Sequence, residues 1–241
     1  MRWVMGYTAA LCVLVLIISQ SIIIPTFFMP FFRWQFNKSE TAEEIGIEYE
    51  DLKYVTSQLL DYMRGRRESL NGITAEVVGR DSRASREDGE NFFTATEIRH
   101  MEDVRILYNR LFVARNVAFF LLIAIVLGMI LVKERPLFLL SQCSREVISG
   151  FLVIASMLAI VISINFERSW DMFHHIFFRG DAANFWRLTP HVDLMINMFP
   201  LNFFLGISIF VASLLTVFSA AVIIGATIYL RQNRLPGFKK P

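Results

Sequence analysis

Four histidines are the residues of this chain best suited to acid–base chemistry, because imidazole is the side chain that takes or gives a proton near neutral pH. They are His100, His174, His175 and His191, and all four lie outside the long apolar runs of the sequence. Gathered at one boundary between water and lipid, they would indicate a catalytic site. The alternative for any one of them is a half-buried residue that only forms hydrogen bonds.

His100 has acidic neighbours at helical spacing. Glu97 lies three residues before it and Asp103 three residues after it, and residues three apart share a helix face. A carboxylate that accepts one ring N–H would fix the tautomer and leave the other ring nitrogen free as a base. In the alternative, Asp103 forms a surface ion pair with Arg99 and has no role toward His100.

Other chemistries find little support in the sequence. His174 and His175 are adjacent and should point apart, so only one of them is expected in a shared site. The chain has no G-x-S-x-G elbow and no H-E-x-x-H zinc motif. Cys12 lies in an apolar run and Cys143 in a basic loop, so neither a disulfide nor an outward thiol is predicted. We expect no cofactor and no metal.

Long apolar runs must position these residues. Of 241 residues, 54% are hydrophobic and only 19% are charged, whereas a soluble domain carries about 25% charged residues. A net charge of +2 without a basic stripe argues against nucleic acid as a partner. A bilayer span needs about 20 apolar residues and must be helical in lipid. Four predicted spans follow: Val4–Ile24, Asn116–Val132, Val147–Ile164 and Phe203–Leu230.

The distribution of lysine and arginine predicts that both termini lie inside. With this orientation, eight basic residues flank the spans on the cytoplasmic side, in Arg2, loop 133–146 and tail 231–241. The short outer loop 165–202 carries three basic residues against four acidic ones. The first run lacks a small-x-small cleavage site, so we interpret it as a retained anchor.

Residues 25–107 are predicted to form a small, mostly helical cap outside the cytoplasm. Apolar residues from Tyr49 to Met63 recur at helical spacing, and Gly65 is a plausible stop. The polar segment 79–89 lies between two apolar runs and is typical of a hairpin tip. Thr96 can cap a further helix that continues into the second span. The expected fold is an all-α membrane protein with four spans and this cap.

Aromatic residues are dense in the outer loop 165–202 and at the start of the fourth span. They fit an interfacial aromatic belt, or the wall of a pocket for acyl chains. The pocket interpretation names five phenylalanines: Phe173, Phe177, Phe178, Phe203 and Phe204.

Two outer segments resemble a known family. The run E-I-R-H-M-E-D-V (97–104) and the run F-H-H-I-F-F (173–178), followed by Trp186, Asp193, Pro200 and two phenylalanines, are similar to the bacterial lipoprotein intramolecular transacylases. The resemblance covers the four-span layout and both outer segments, but not the segment 79–89. It implies two catalytic histidines, which map onto His100 and His174, and we expect Glu97, Asp103, Arg99, Trp186 and Asp193 to support them.

The resemblance also implies a reaction. The substrate would be a membrane-tethered lipoprotein whose N-terminal cysteine bears a diacylglyceryl thioether and a free amine, and the sn-2 acyl chain would move to that amine. An α-amine has a pKa of roughly 7.7–8.0, so a histidine base is needed to make it nucleophilic at neutral pH. The second histidine, Arg99, Trp186 or Asn184 would stabilise the oxyanion.

The sequence leaves two alternatives to this reaction. One is a membrane sensor outside the cytoplasm whose histidines respond to pH or metal. The other is a hydrolase that uses water in place of the amine.

Overall fold

The computed structural model describes residues 2–78, 86–87, 89–180, 186–190 and 192–233. These residues form nine α-helices and contain no β-strand, which confirms the predicted all-α class. In chain order the helices are α1 (Arg2–Thr26), α2 (Met29–Lys38), α3 (Thr41–Ile45), α4 (Tyr49–Met63), α5 (Ala95–Leu131), α6 (Pro136–Ile164), α7 (Phe166–Phe177), α8 (Leu194–Met198) and α9 (Leu201–Gln232).

The chain divides into two compact units. The first unit comprises Met1–Ile24, Leu111–Ile164 and Ile209–Pro241, and it contains α6, most of α1 and the later parts of α5 and α9. The second unit comprises Pro25–Arg110 and Asn165–Ser208. It contains α2, α3, α4, α7 and α8, together with the first turns of α5 and α9.

Four helices are long and apolar enough to cross a membrane, namely α1, α5, α6 and α9. Only 6% of the most apolar window of α5, of α6 and of α9 is buried by the rest of the chain, against 33% for α1. Apolar helix surfaces left uncovered by protein are stable in lipid and unfavourable in water. The chain is therefore a multi-pass membrane protein. Each predicted span overlaps one of these helices, and the residues at which the bilayer begins and ends stay a prediction.

Within the first unit, small residues allow α1 and α6 to pack closely. A Cβ atom at Gly6 would lie 2.7 Å from the Cys143 sulfur, so this position does not admit a larger side chain without movement. Nearby, Ala9, Met129 and Leu139 form a buried apolar cluster that joins α1, α5 and α6.

The helix that carries His100 continues into the second span, as the sequence predicted, because α5 runs from Ala95 to Leu131 without a break. The prediction that Thr96 caps this helix is wrong. Thr94 Oγ1 accepts the Glu97 N–H at 3.2 Å, and Glu97 Oε2 accepts the Thr94 N–H at 2.7 Å. These two bonds form a capping box that begins the helix at Ala95 and places Thr96 inside its first turn.

In the second unit, α4 buries Leu52, Val55 and Leu59 and ends at Met63, two residues before Gly65. Gly65 has φ +77°, a backbone conformation that favours glycine, so the predicted stop is confirmed. The predicted hairpin is represented by one antiparallel pair, Val77 with Arg86. Residues 79–85 and 88, which include most of the predicted tip, lie outside the described residues.

Candidate active site

His100 and His174 lie side by side in the second unit. His100 is in the second turn of α5 and His174 is near the end of α7. Their ring centroids are 6.3 Å apart and their planes are inclined by 30°. Two segments that are 74 residues apart in the chain thus bring together the two imidazoles that the family resemblance singles out, and their catalytic role stays a prediction. Their spacing is short enough for both rings to reach neighbouring atoms of one small substrate group.

A backbone carbonyl fixes the tautomer of His174. The His174 Nδ1 lies 2.8 Å from the Trp170 carbonyl oxygen, which can only accept, so Nδ1–H is the donor. The lone pair is therefore on Nε2, where it can act as a base. No sequence pattern indicates this contact, because a main-chain acceptor is the same whatever side chain is present.

Aromatic rings surround the His174 imidazole. Trp186 stacks on it at 4.7 Å between centroids, and Phe178 lies at 5.5 Å with an interplanar angle of 27°. The edges of Trp170 and Phe173 approach at 4.8 Å and 5.4 Å. As a result His174 is buried, and this burial lowers its pKa, although the Trp170 carbonyl and nearby Asp171 act in the opposite direction.

His100 is held by packing. Its ring lies 5.3 Å from Phe178, which therefore contacts both imidazoles. Within the described part of the chain, neither nitrogen of His100 has a hydrogen-bond partner. Burial, with a smaller contribution from His174, lowers the pKa of His100 from 6.5 to about 4. Both rings are therefore neutral at physiological pH.

Glu97 connects the two outer segments instead of orienting His100. The Met195 N–H at the start of α8 donates to Glu97 Oε1 at 2.6 Å, and the Thr94 N–H occupies Oε2. The expected bond from the His100 ring to Glu97 is thus absent among the described residues. Glu97 is fully buried, and burial raises its pKa to about 7, while the backbone bonds act to lower it. The T-x-x-E spacing is the sequence signal for the bond with Thr94, whereas no sequence pattern indicates the bond with Met195.

Asp193 completes the same buried network. Its Oδ1 accepts the Thr94 hydroxyl at 2.7 Å and its Oδ2 accepts the Thr189 N–H at 2.7 Å. Asp193 is also the residue immediately before α8. It therefore joins the start of α5 to the start of α8, and within the described part of the chain it forms no hydrogen bond with either imidazole.

The remaining charged neighbours of His100 point to other partners. Arg99 pairs with Glu102 at 2.8 Å, which replaces the Arg99–Asp103 pair considered from the sequence. The same two residues line a cleft of about 440 Å³ with Asn71, Asn91, Phe93, Ala95 and Ile98. Asp103 Oδ2 is buried, and it has no hydrogen-bond partner within the described residues.

The five phenylalanines expected to line a pocket divide into two groups. Phe173 and Phe178 contact the His174 ring, Phe177 contacts Phe173, and Phe204 joins this group by stacking on Trp170 at 4.3 Å. Phe203 instead packs in a cluster with Phe31, Phe32, Phe36 and Phe199.

The other histidines differ from His174 in their surroundings. His175 is exposed, and its ring meets the edge of Trp186 at 5.4 Å. His191 and Asn184, the latter considered as an oxyanion donor, lie outside the described residues. Among the residues that are described, no three His, Cys, Asp or Glu side chains are grouped as metal ligands.

Fold and site together define a helical multi-pass membrane protein in which two neutral imidazoles meet between aromatic rings. The family model described as "Lipoprotein intramolecular transacylase Lit" matches residues 7–204, so the chain belongs to this family.

Solved structures share this fold, and a sequence relative matches part of the chain. The membrane integral lipoprotein intramolecular transacylase Lit from Bacillus cereus has a similar fold, with a TM-score of 0.72 over 97% of this chain and 98% of that one, at 15% identity. A form of that protein with a histidine-to-alanine mutation gives the same TM-score over 97% and 96%. A protein from Aquifex aeolicus is 27% identical over 143 residues, which are 58% of this chain and 59% of that protein.

Proposed function

We propose that this protein transfers the sn-2 acyl chain of a diacylated lipoprotein to the α-amine of the lipoprotein's own N-terminal cysteine. The observation that carries the proposal is the approach of His100 to His174 at 6.3 Å between aromatic rings. Membership in a family described as intramolecular transacylases supports the same reaction.

The chemistry needs only proton transfer and positioning. The amine nitrogen attacks the sn-2 carbonyl carbon, the ester C–O bond breaks, and an amide forms while the glyceryl oxygen becomes a hydroxyl. The net proton movement is from the amine to that oxygen, so no water is consumed and the mass is unchanged. Attack closes a ring of about eight atoms, which seldom forms by chance, and positioning should supply much of the rate.

The environments of the two histidines suggest different roles. His174 holds its proton on Nδ1, against the Trp170 carbonyl, and offers Nε2 as the base that removes the amine proton. His100, which has no hydrogen-bond partner within the described residues, is free to stabilise the departing glyceryl oxygen with an N–H hydrogen bond, and that oxygen then receives the proton that His174 took from the amine. Because their pKa values are lowered, both rings can act from the neutral form at physiological pH.

The assay measures whether the α-amine of the substrate still reacts, because the transfer product has the same mass as the substrate. The protein in nanodiscs is incubated with a synthetic diacylglyceryl-cysteinyl peptide and then treated with an amine-reactive reagent before mass spectrometry. Transfer leaves the mass unchanged and blocks the amine. Hydrolysis removes one acyl chain and leaves the amine reactive, and a sensor changes neither. The His100→Ala variant in the same nanodiscs is the control, and transfer at the wild-type rate in that variant contradicts the assignment.

The proposed location is the extracytoplasmic side, with both termini inside. The basic residues beside the spans support this orientation. A cysteine at exposed Glu90, in the second unit, should react with an impermeant maleimide on intact cells. A cysteine at exposed Lys133, between α5 and α6, should react only after permeabilisation. The reverse labelling pattern would invert the topology.

A further inference from the structure

The helix α7 has an unusual exposed surface. Met172, Phe173, Ile176 and Phe177 recur at i, i+1, i+4 and i+5, so they share one helix face. Their exposed fractions are 55%, 37%, 49% and 51%. We call these four residues the outer face of α7.

The opposite side of α7 is polar. Glu167, Arg168, Asp171 and His175 lie there and are exposed. His174 lies at the edge between the polar side and the apolar residues, and it is buried. The helix therefore separates apolar from polar residues sharply, and the apolar residues face outward.

Comparison with α4 shows that this arrangement is not the ordinary one for a cap helix. The helix α4 is also amphipathic, but its apolar residues are directed inward, with Leu52, Val55 and Leu59 buried and Tyr54 its one strongly exposed large apolar residue. A helix that presents a wide apolar face outward and a charged face opposite is typical of a helix lying in a membrane interface.

The chain places α7 beside the bilayer. A single residue, Asn165, separates the end of α6 from the start of α7, and its side chain accepts the Arg168 N–H as the cap of α7. In α6, the last charged residues are Arg145 and Glu146, and the 18 residues that follow them up to Ile164 are uncharged. Those residues rise about 27 Å as a helix, close to the roughly 30 Å of the hydrocarbon core.

We propose that α7 lies in the outer membrane–water interface, with its outer face among the acyl chains of the lipid bilayer. Since His174 is at the edge of that face, the helix holds the imidazole at the boundary between acyl chains and headgroups. An sn-2 ester lies at the same boundary. This last step rests on the proposed function, whereas the placement of α7 does not.

Spin-label accessibility tests the placement. Nitroxides are attached to Met172→Cys and Ile176→Cys on the outer face, and to Arg168→Cys and Asp171→Cys on the polar side, in vesicles of phosphatidylglycerol and phosphatidylethanolamine. For each nitroxide, the frequency of collisions with oxygen is divided by the frequency of collisions with nickel. We expect the logarithm of this ratio to be positive at Met172 and Ile176 and negative at Arg168 and Asp171.

The background carries Cys12→Ser and Cys143→Ser, because both native cysteines are free and buried, and this background without an added cysteine measures residual labelling.

Two results would overturn the inference. High nickel accessibility at all four positions would place the outer face in water. Low accessibility to both reagents at Met172 and Ile176 would mean that protein covers this face, for instance a second copy of the chain. The amine-blocking assay on the same vesicles separates the two proposals. If transfer continues although the outer face of α7 is exposed to water, only the placement of α7 is contradicted. If the outer face lies in lipid but no transfer occurs, only the proposed reaction is contradicted.

Discussion

Replacing Phe178, whose ring contacts both histidines, should change the pH dependence of the reaction by an amount that can be calculated. Phe178 is buried and lies 5.3 Å from His100 and 5.5 Å from His174. Burial is the main reason that the pKa of His100 falls from 6.5 to about 4. A Phe178→Ala variant admits water to both rings, so we expect the pKa of His100 to rise toward its ordinary value.

The direction in which activity changes with pH depends on which protonation state of the imidazoles is active. In the proposed reaction the neutral imidazoles act on the substrate, so activity should be lost as the pH falls through the pKa of each ring. In addition, the substrate amine makes log kcat/KM fall with unit slope below its own pKa of about 7.7–8.0. In the native protein both histidine pKa values are lowered, so this unit slope should become steeper only below pH 6.5, and His100 should contribute to the steepening near its pKa of about 4. In Phe178→Ala the steepening should begin closer to 6.5.

The magnitude can be worked out from the pKa of His100. A full return from about 4 to 6.5 corresponds to about 3 kcal/mol of differential interaction. At about pH 5.5 the neutral fraction of the ring would fall from about 97% to about 9%. The ratio of kcat/KM at about pH 5.5 to that at about pH 7.5 should therefore drop up to about tenfold more in the variant than in the wild type.

Two controls separate hydration from loss of packing. Phe178→Leu keeps an apolar side chain beside the rings and should retain the wild-type profile. Phe199→Ala removes a buried ring that packs with Phe32, Phe36 and Phe203, away from the histidines. It should lower stability, by about 3–5 kcal/mol, without moving the steepening. Circular dichroism at each pH, and recovery of activity on return to neutral pH, exclude unfolding. If Phe178→Ala gives the wild-type profile, burial by Phe178 does not set these pKa values.

Two further predictions concern the choice of histidine and the buried acid. His174→Ala should abolish transfer, whereas His175→Ala should lower the transfer rate little because this side chain is exposed. The amine-blocking assay measures both variants. A larger loss in His175→Ala than in His174→Ala would mean that His175 is the catalytic residue. Glu97→Gln replaces an acceptor of two backbone N–H bonds by a group with one acceptor and one donor, and should lower the free energy of unfolding by about 1–3 kcal/mol in urea. An unchanged unfolding midpoint would show that Glu97 does not hold the segments together.

The parts of the fold that depend on local pattern were predictable. Apolar runs of span length gave the four long helices, and the spacing from Tyr49 to Met63, with Gly65 after it, gave α4 and its end. The pairing of His100 with His174 came from the family resemblance, since nothing in the local pattern connects residues so far apart in the chain. The two residues can be named from the sequence, whereas the distance between their rings is known only from the structure.

The parts that were not predicted depend on distant or main-chain partners. Glu97 was assigned to His100 because the two share a helix face, but the Met195 N–H, 98 residues away, takes one of its oxygens. The cap was assigned to Thr96, although Thr94 has the T-x-x-E spacing and a second partner in Asp193. The tautomer of His174 is set by the carbonyl of Trp170, which no side-chain pattern reveals.

In the proposed reaction, the pair of imidazoles has to favour transfer over hydrolysis, and the aromatic rings around them offer a physical reason. Both reactions need a base beside the ester, and they differ only in whether the amine or water attacks. No serine or cysteine nucleophile is required, because the amine and the ester belong to one molecule. The rings of Trp186, Phe178 and Phe173 around His174 exclude water while the substrate supplies its own nucleophile. The Phe178→Ala variant should therefore also release some lyso product with a free amine, and its absence would mean that positioning alone, without exclusion of water, determines the outcome.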